Sequence, residues 1–169
     1  MEKRKSYFNH KGFSLIELII VIAIMAILVA IMVPVLIKWI EKSNVSSDTQ
    51  LADTVRGAFL CAVTDARVLA DSKSTPYINK MEDTSLDPNG MSILELATAV
   101  DDPVIKDSVE EILGMQVNDV KSHLKSKHGP NAEFYVKLRG GNVIVTITET
   151  DITAKKNPTN QNNYIVVDL

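Results

Sequence analysis

The stretch Lys11 to Ile37 reads KGFSLIELIIVIAIMAILVAIMVPVLI, and it decides how the rest of the chain is interpreted. From Phe13 onward it is an apolar run interrupted only by Ser14, Glu17 and Pro34. As an α-helix the run would be about 37 Å long, which exceeds the roughly 30 Å hydrocarbon core of a bilayer. It is too long for the apolar region of a secretory signal peptide, and no Ala-x-Ala cleavage pattern follows it. The sequence therefore predicts a membrane-spanning helix.

The charges on either side of this run are unequal. The residues before Phe13 include four basic ones, namely Lys3, Arg4, Lys5 and Lys11. Glu2 is the only acidic residue among them. The positive-inside tendency predicts a single pass with the N-terminus in the cytoplasm. The whole chain has a formal net charge of −3. Removing residues 1–12 takes away four of the 18 basic and one of the 21 acidic side chains, which leaves −6. An acidic product disfavours nucleic-acid binding through overall charge.

Glu17 is the residue that a plain membrane anchor does not explain. A carboxylate near mid-membrane costs about 2.5–3.5 kcal/mol on insertion scales, so it normally has a partner or a function. A simple single-pass anchor accounts for the length of the run and for its basic flank. It gives no reason for this carboxylate, nor for the small Gly12 that separates the leader from Phe13.

Residues 11–17, Lys-Gly-Phe-Ser-Leu-Ile-Glu, resemble the prepilin processing motif of type IV pilins, which pseudopilins share. The resemblance covers residues 1 to about 40. It implies that a membrane aspartic peptidase cleaves between Gly12 and Phe13 and that the new amine of Phe13 is N-methylated. Glycine suits this position because a missing side chain lets the backbone enter a narrow peptidase groove. The conserved glutamate of the family stem maps onto Glu17, and its proline maps onto Pro34.

Electrostatics gives Glu17 a role that fits this resemblance. Cleavage would create a cationic amine on Phe13, which could meet Glu17 of a neighbouring subunit in a staggered filament. Each charge alone is costly in an apolar core, whereas a pair offsets that cost. Such a pair would fix subunit register. Pro34 removes one backbone hydrogen bond and favours a kink.

The pattern after the apolar run divides the chain into further segments. We expect a cleaved leader at 1–12, a transmembrane and filament-core helix at 13–37, and an amphipathic half of the same helix at 38–70, so that one helix runs from Ser14 to Ala70. A region of loops and short helices should occupy 71–130, and a C-terminal antiparallel sheet 131–169. The predicted buried stripe of the long helix is Leu51, Val55, Phe59, Ala62, Ala66 and Leu69. Cys61 lies near this stripe and is expected to be a buried, inert thiol.

The region 71–130 begins with a turn-rich polar loop, predicted for 71–90. Three short helices should follow. The first, 93–100, would be opened by the capping box of Ser92 and Glu95. The second would have Asp102 as its N-cap and Pro103 at its first position, and would end near Gly114. The third would run from about 118 to 127.

The C-terminal forty residues alternate between apolar and polar side chains, which is typical of strands. Two such runs flank Gly140-Gly141 and predict a β-hairpin, and residues 164–169 predict a third strand. The fold class is therefore α+β. We expect the second half of the long helix to cover a three- to four-stranded antiparallel sheet, as in type IV pilins. Cys61 is the only cysteine, so the family's usual C-terminal disulfide is absent. Some pilins of Gram-positive bacteria lack it too, and the chain resembles that branch, in particular the clostridial type.

The rest of the sequence predicts no catalytic residue, no metal site and no cofactor. The histidines are scattered, without metal-ligand spacing, and the serines lack a nucleophile-elbow setting. A basic cluster could contact DNA or an acidic surface, but a solvated face is the favoured interpretation; its members are Lys121, His123, Lys125, Lys127 and His128.

The resemblance implies a structural subunit, in particular a major pilin that polymerises with itself into a helical filament. Its other partners would be the prepilin peptidase and N-methyltransferase, the inner-membrane assembly machinery, and membrane lipid before assembly. The head, by which we mean the residues that follow the membrane-spanning helix, could contact host or cell surfaces in adhesion, aggregation or twitching motility. The location would be the cytoplasmic membrane first and an extracellular pilus afterwards. One alternative is a pseudopilin of a type II secretion or DNA-uptake system. A membrane-anchored sensor or enzyme is a different class, and it predicts an uncleaved N-terminus.

Overall fold

The computed structural model describes residues 13–83, 90–127, 129–149 and 163–167. The chain divides into two compact units, Met1–Ile40 and Glu41–Leu169. The first helix, α1, covers Leu15–Thr64 and therefore begins in the first unit and continues in the second. It is the one helix among the described residues that is long and apolar enough to cross a membrane.

In the second unit, α1 buries a stripe that only partly matches the prediction. Val55, Phe59 and Ala62 are fully buried as expected, and Asp48, Ala52 and Ala58 join them. Ala66 and Leu69 lie beyond the helix and are exposed. The stripe therefore starts earlier along the chain than predicted, and it includes a carboxylate.

The prediction of one helix reaching Ala70 is wrong, because α1 ends at Thr64 and Asp65 is not helical. Asp65 has an extended backbone, with φ −70° and ψ 125°, and its carboxylate accepts a hydrogen bond from Arg67 N at 2.8 Å. This is an N-cap, and it opens a separate helix, α2, at Ala66–Ala70. The Arg67 side chain also donates to Asp65, and this hydrogen bonding lowers the pKa of the Asp65 carboxyl.

Three further α-helices follow: α3 at Thr75–Glu82, α4 at Ile93–Ala97 and α5 at Val104–Leu113. The prediction of a loop at 71–90 is therefore wrong for the part that α3 occupies, Thr75–Glu82. Ser92 caps α4 by accepting from Leu94 N at 3.2 Å, as predicted, but α4 stops at Ala97 rather than Val100. The predicted third helix is a 3₁₀ helix at Val117–His123, and a second short 3₁₀ helix covers Gly129–Asn131.

The start of α5 is capped by distant residues. Asp102 has a positive φ of 49°, and Pro103 occupies the N-cap position without a side-chain bond, so the predicted Asp102 cap is wrong. A carboxylate oxygen of Asp71 accepts from Val104 N at 3.0 Å. Ser74 Oγ accepts from Ile105 N at 3.0 Å and donates to Asp71 at 2.6 Å. The bonds to Asp71 lower the pKa of its carboxyl, chiefly the one from Ser74. The helix ends, as predicted, at Gly114, which is left-handed.

The sheet contains four antiparallel strands in the order β1-β2-β3-β4: Met91–Ser92, Ala132–Arg139, Asn142–Glu149 and Asn163–Val167. β2 and β3 form the predicted hairpin, in register from Ala132 opposite Glu149 to Arg139 opposite Asn142. Gly140 and Gly141, with φ of 60° and 85°, make the two-residue turn, whose backbone favours glycine.

The core of the second unit joins α1 to the sheet. Phe59 of α1 belongs to the same buried cluster as Phe134, Val136 and Ile147 of β2 and β3. Met81 of α3 and the buried residues of α4 and α5 complete it. The predicted α+β class, a long helix with an antiparallel sheet, is confirmed.

Candidate functional site

Residues 15–40 form an apolar helix surface whose side chains are exposed in the described part of the chain. The large apolar side chains on this segment are all exposed, and Phe13 just before it is 89% exposed. Contiguous exposed apolar surface on this scale marks a membrane or protein interaction site. This segment is therefore the first part of the candidate functional site.

Glu17 lies in the first turn of this apolar helix, where it makes a local hydrogen bond. Its carboxylate oxygen Oε2 accepts from the backbone N–H of Ser14 at 2.9 Å. The carbonyl of Ser14 in turn accepts from Glu17 N at 3.1 Å and from Leu18 N at 3.3 Å. Ser14 and Glu17 thus have the spacing and one of the two bonds of a capping box. The carboxylate also lies at the helix N-terminus, where the helix dipole favours negative charge.

The other predicted site residues are placed as follows. Phe13 is exposed and precedes the first helical residue, Leu15. Pro34 lies inside α1, which is helical on both sides of it. Gly12 lies outside the described residues. Phe13 and Glu17 thus both lie at the N-terminal end of the apolar helix.

A second cluster, absent from the sequence predictions, fixes a loop of the head to α1. Asp48 is fully buried, and its two carboxylate oxygens accept from Lys125 N at 2.8 Å and Ser126 N at 3.0 Å. Two helical turns earlier on α1, Glu41 accepts from Lys127 N at 3.1 Å. Three successive backbone donors are thus held by two carboxylates on one helix face. We call this arrangement the carboxylate clamp. The two carboxylates are spaced i, i+7, a local signal compatible with one helix face. Nothing local identifies their partners 77, 78 and 86 residues away.

The clamp places the predicted basic cluster on the surface of the head. Lys121, His123, Lys125 and Lys127 are all exposed, and His128 lies outside the described residues. In the described ranges, no group of three His, Cys, Asp or Glu side chains is arranged to hold a metal ion.

Cys61 differs from its prediction. It is a free and exposed cysteine, so the expectation of a buried thiol is wrong. The neighbouring Ala62 occupies the buried position, and a residue one step away on a helix is rotated by about 100° from it.

Comparison with known proteins finds similarity over part of the chain. Residues 7–33 match the family model described as the prokaryotic N-terminal methylation motif. Over 65 residues the chain is 43% identical to a fimbrial protein of Moraxella nonliquefaciens. That alignment covers 38% of this chain and 42% of the relative, so the chain spans less than half the length of the curated protein it matches. No solved structure matches the chain significantly. The methylation motif, the fimbrial relative and the α+β layout with its long N-terminal helix together make the chain similar to type IV pilins.

Proposed function

We propose that the chain is the structural subunit of a type IV pilus, and specifically a major pilin. The observation that supports it best is the uncovered apolar helix with Glu17 at its exposed N-terminal end, inside the matched methylation motif. Such a helix needs two environments in turn. It is a membrane anchor while the subunit is single, and it packs against other copies of itself in the filament.

Processing creates the difference between these two states. Prepilin peptidase cleaves between Gly12 and Phe13 with the N-terminus on the cytoplasmic side, and the new amine of Phe13 is N-methylated. In the single subunit the Glu17 carboxylate accepts from Ser14 N–H. In the filament it meets the Phe13 amine of a neighbour, which could not exist before cleavage. A neighbour slipped out of register leaves both charges in an apolar core without a partner.

The same assignment gives a role to Pro34 in the stem and to the head. Pro34 provides a weak point in the hydrogen bonding of the helix, which can bend when stems pack together. The inner-membrane assembly machinery extracts the subunit, and the head remains at the filament surface. There it acts in adhesion, aggregation or twitching motility. The filament is the final, extracellular location.

Electron microscopy of cells with and without the gene tests the pilus against a pseudopilus. Loss of long surface filaments in the deletion strain, restored by the intact gene, supports the pilus. Unchanged surface filaments combined with a defect in protein secretion or DNA uptake would instead support a pseudopilin, which shares the same processing motif.

A further inference from the structure

We propose that the head docks onto the head of a second copy of the chain through two surfaces of opposite charge. The first is the acidic tip, which consists of Val100, Asp101 and Asp102. The second is the basic depression, a cavity lined by Asn118, Lys121, Ser122, Leu124, Gly129 and Pro130. The inference rests on the proposed function, and it adds a specific contact between the heads of neighbouring subunits.

The acidic tip lies between α4 and α5 and is anchored at both ends. Ala97, the last residue of α4, is buried, and so is Pro103, the residue before α5. Between them Val100 is 95% exposed, more than any other large apolar side chain that the structure describes. Asp102 has a φ of 49°, which is uncommon for a residue with a side chain and often marks a functional position. The tip is therefore an anchored projection with an apolar side chain on it.

The two carboxylates of the acidic tip are available for a partner. Within the part of the chain that the structure describes, Asp101 and Asp102 accept no hydrogen bond and form no ion pair. Neighbouring acidic residues are used inside the head, since Glu95 pairs with Lys80 and Glu110 accepts from the backbone N–H of residue 117. The tip thus offers two negative charges beside one exposed apolar side chain.

The basic depression has the complementary character. Its volume is about 400 Å³, and its lining combines the apolar Leu124 and Pro130 with the cationic Lys121. Lys125 follows directly after Leu124, and neither lysine forms an ion pair among the described residues. An aliphatic side chain flanked by carboxylates therefore meets both an apolar surface and positive charge here.

The backbone around the basic depression is held in place by contacts on two sides. Asp48 accepts from Lys125 N at 2.8 Å and from Ser126 N at 3.0 Å, directly after Leu124. Gly129 packs so closely on Leu124 that a Cβ added to it would lie 2.8 Å from Leu124 Cβ. A surface that is already ordered loses little conformational freedom when it binds, which favours its use in docking.

A second copy of the chain is the partner that these two surfaces fit, because every subunit carries both of them. Val100 is almost fully exposed, so it does not occupy the depression of its own chain. A contact between two different patches of identical chains is heterologous, and repeating it produces a ring or an open filament. Opposite charges around such a contact speed association and reject wrong partners, while burial of the apolar side chain adds affinity. The contact therefore suits a subunit that polymerises with itself.

Cysteine crosslinking in assembled filaments tests this contact. Val100→Cys and Ser122→Cys are combined in the full-length chain together with Cys61→Ser, which removes the exposed native thiol. Filaments sheared from cells are treated with a short thiol-reactive crosslinker and separated by denaturing gel electrophoresis. We expect a ladder of covalent multimers, because each subunit would be linked to two neighbours. The matched control combines Ser122→Cys with Val166→Cys, which replaces another exposed valine of the head and should give no ladder.

Charge reversal tests the electrostatic part of the contact in the same crosslinking chain. Asp101→Lys should lower the yield of multimers by about tenfold, because like charges would then face each other. Adding Lys121→Glu should restore most of this yield, because the pair is then opposite in charge again. Both positions are exposed, so neither substitution removes a contact in the core of the head.

Electron microscopy of the same samples separates this proposal from the proposed function. Normal filaments that give no ladder, or the same ladder as the control pair, overturn the docking contact and leave the pilus assignment intact. A dimer band without higher multimers also overturns it, since a closed pair does not propagate. So does a multimer yield that Asp101→Lys leaves unchanged. Absence of filaments from cells that carry the native chain would instead contradict the proposed function, and the contact with it.

Discussion

The carboxylate of Glu17 accepts a hydrogen bond from the backbone N–H of Ser14 at 2.9 Å, so in the single subunit this charge has a partner within its own helix turn. This arrangement reduces the cost of an acid in an apolar segment, because one acceptor oxygen is bonded and the helix dipole favours the charge. Besides this cap on α1, we propose a second function for Glu17, which is pairing with the Phe13 amine of a neighbour.

Substitutions at Glu17 separate these two functions. Gln at this position can still accept from Ser14 N–H but has no charge, whereas Val can do neither. If register depends on the charge pair, both Glu17→Gln and Glu17→Val subunits should be inserted and cleaved, yet form at least tenfold fewer filaments. Filament mass in the sheared surface fraction, compared with processed subunit in the membrane, measures this. Normal assembly of Glu17→Gln would show that the cap, and not the charge, is what the filament needs.

The carboxylate clamp predicts a large loss of stability when Asp48 is truncated. Asp48→Ala leaves two backbone donors near the buried end of the loop without their charged acceptor, which should cost about 2–3 kcal/mol. Asp53→Ala on the same helix is the matched control. The Asp53 side chain is 62% exposed and lies 3.2 Å from Arg56, whose side chain is 12% exposed. Removing the exposed partner of such a pair should cost about 1 kcal/mol. Urea unfolding of the full-length subunit in detergent, followed by circular dichroism, compares the two. Equal losses would contradict a structural role for the clamp.

The cap of α5 by Asp71 predicts a specific pH dependence. The folded protein holds the pKa of this carboxyl below its usual value, mainly through the hydrogen bond from Ser74. Its contribution to stability is therefore fully present above the unfolded pKa of about 4 and is lost as the pH falls through the folded pKa. Asp71→Asn should lower the melting temperature at pH 7, and its difference from the native chain should shrink below about pH 4. A difference that stays constant across this range would rule out the charged cap.

Replacing glycine by alanine should lower the stability at Gly90 and raise it at Gly57. Gly90 has φ +93°, and a Cβ there would lie 2.4 Å from the carbonyl oxygen of Val136, so Gly90→Ala should destabilise the head by about 2 kcal/mol or more. Gly57 lies in α1, and a Cβ added there would have no atom of another part of the described chain within 4 Å. Gly57→Ala should therefore stabilise the helix by about 0.5–1 kcal/mol. Thermal unfolding of both variants checks the pair, and a stabilising Gly90→Ala would contradict the close packing of Gly90 on β2.

The sequence alone predicts those structural features whose signals lie within a few neighbouring residues. The apolar run predicts the long helix, and alternation around Gly140-Gly141 predicts the hairpin. The bond between Ser14 and Glu17 also has a local signal, since serine followed three residues later by glutamate is the capping-box pattern. Ser92 behaves as the pattern predicts at α4, while its partner Glu95 pairs instead with Lys80.

Features that depend on distant partners cannot be predicted in this way. Asp48 meets residues 77 and 78 positions away, and Asp71 meets Val104 at a separation of 33. A polar residue that finds such a partner looks like any surface residue in the sequence. For this reason the sequence around Asp48 resembles a polar, frayed stretch, although the structure buries this carboxylate. The distant cap likewise replaces the expected one at Asp102, which adopts a left-handed conformation.

The mature N-terminus is the most direct test of the central claim. Intact-mass and peptide mass spectrometry of the subunit isolated from cells should show a chain that begins at N-methylated Phe13 and lacks residues 1–12. A Gly12→Lys variant, which places a long side chain at the proposed cleavage site, should accumulate uncleaved and provides the size reference. A native subunit that retains Met1 through Gly12 would contradict processing at this site, and with it the pairing of Phe13 with Glu17 and the assignment as a pilus subunit.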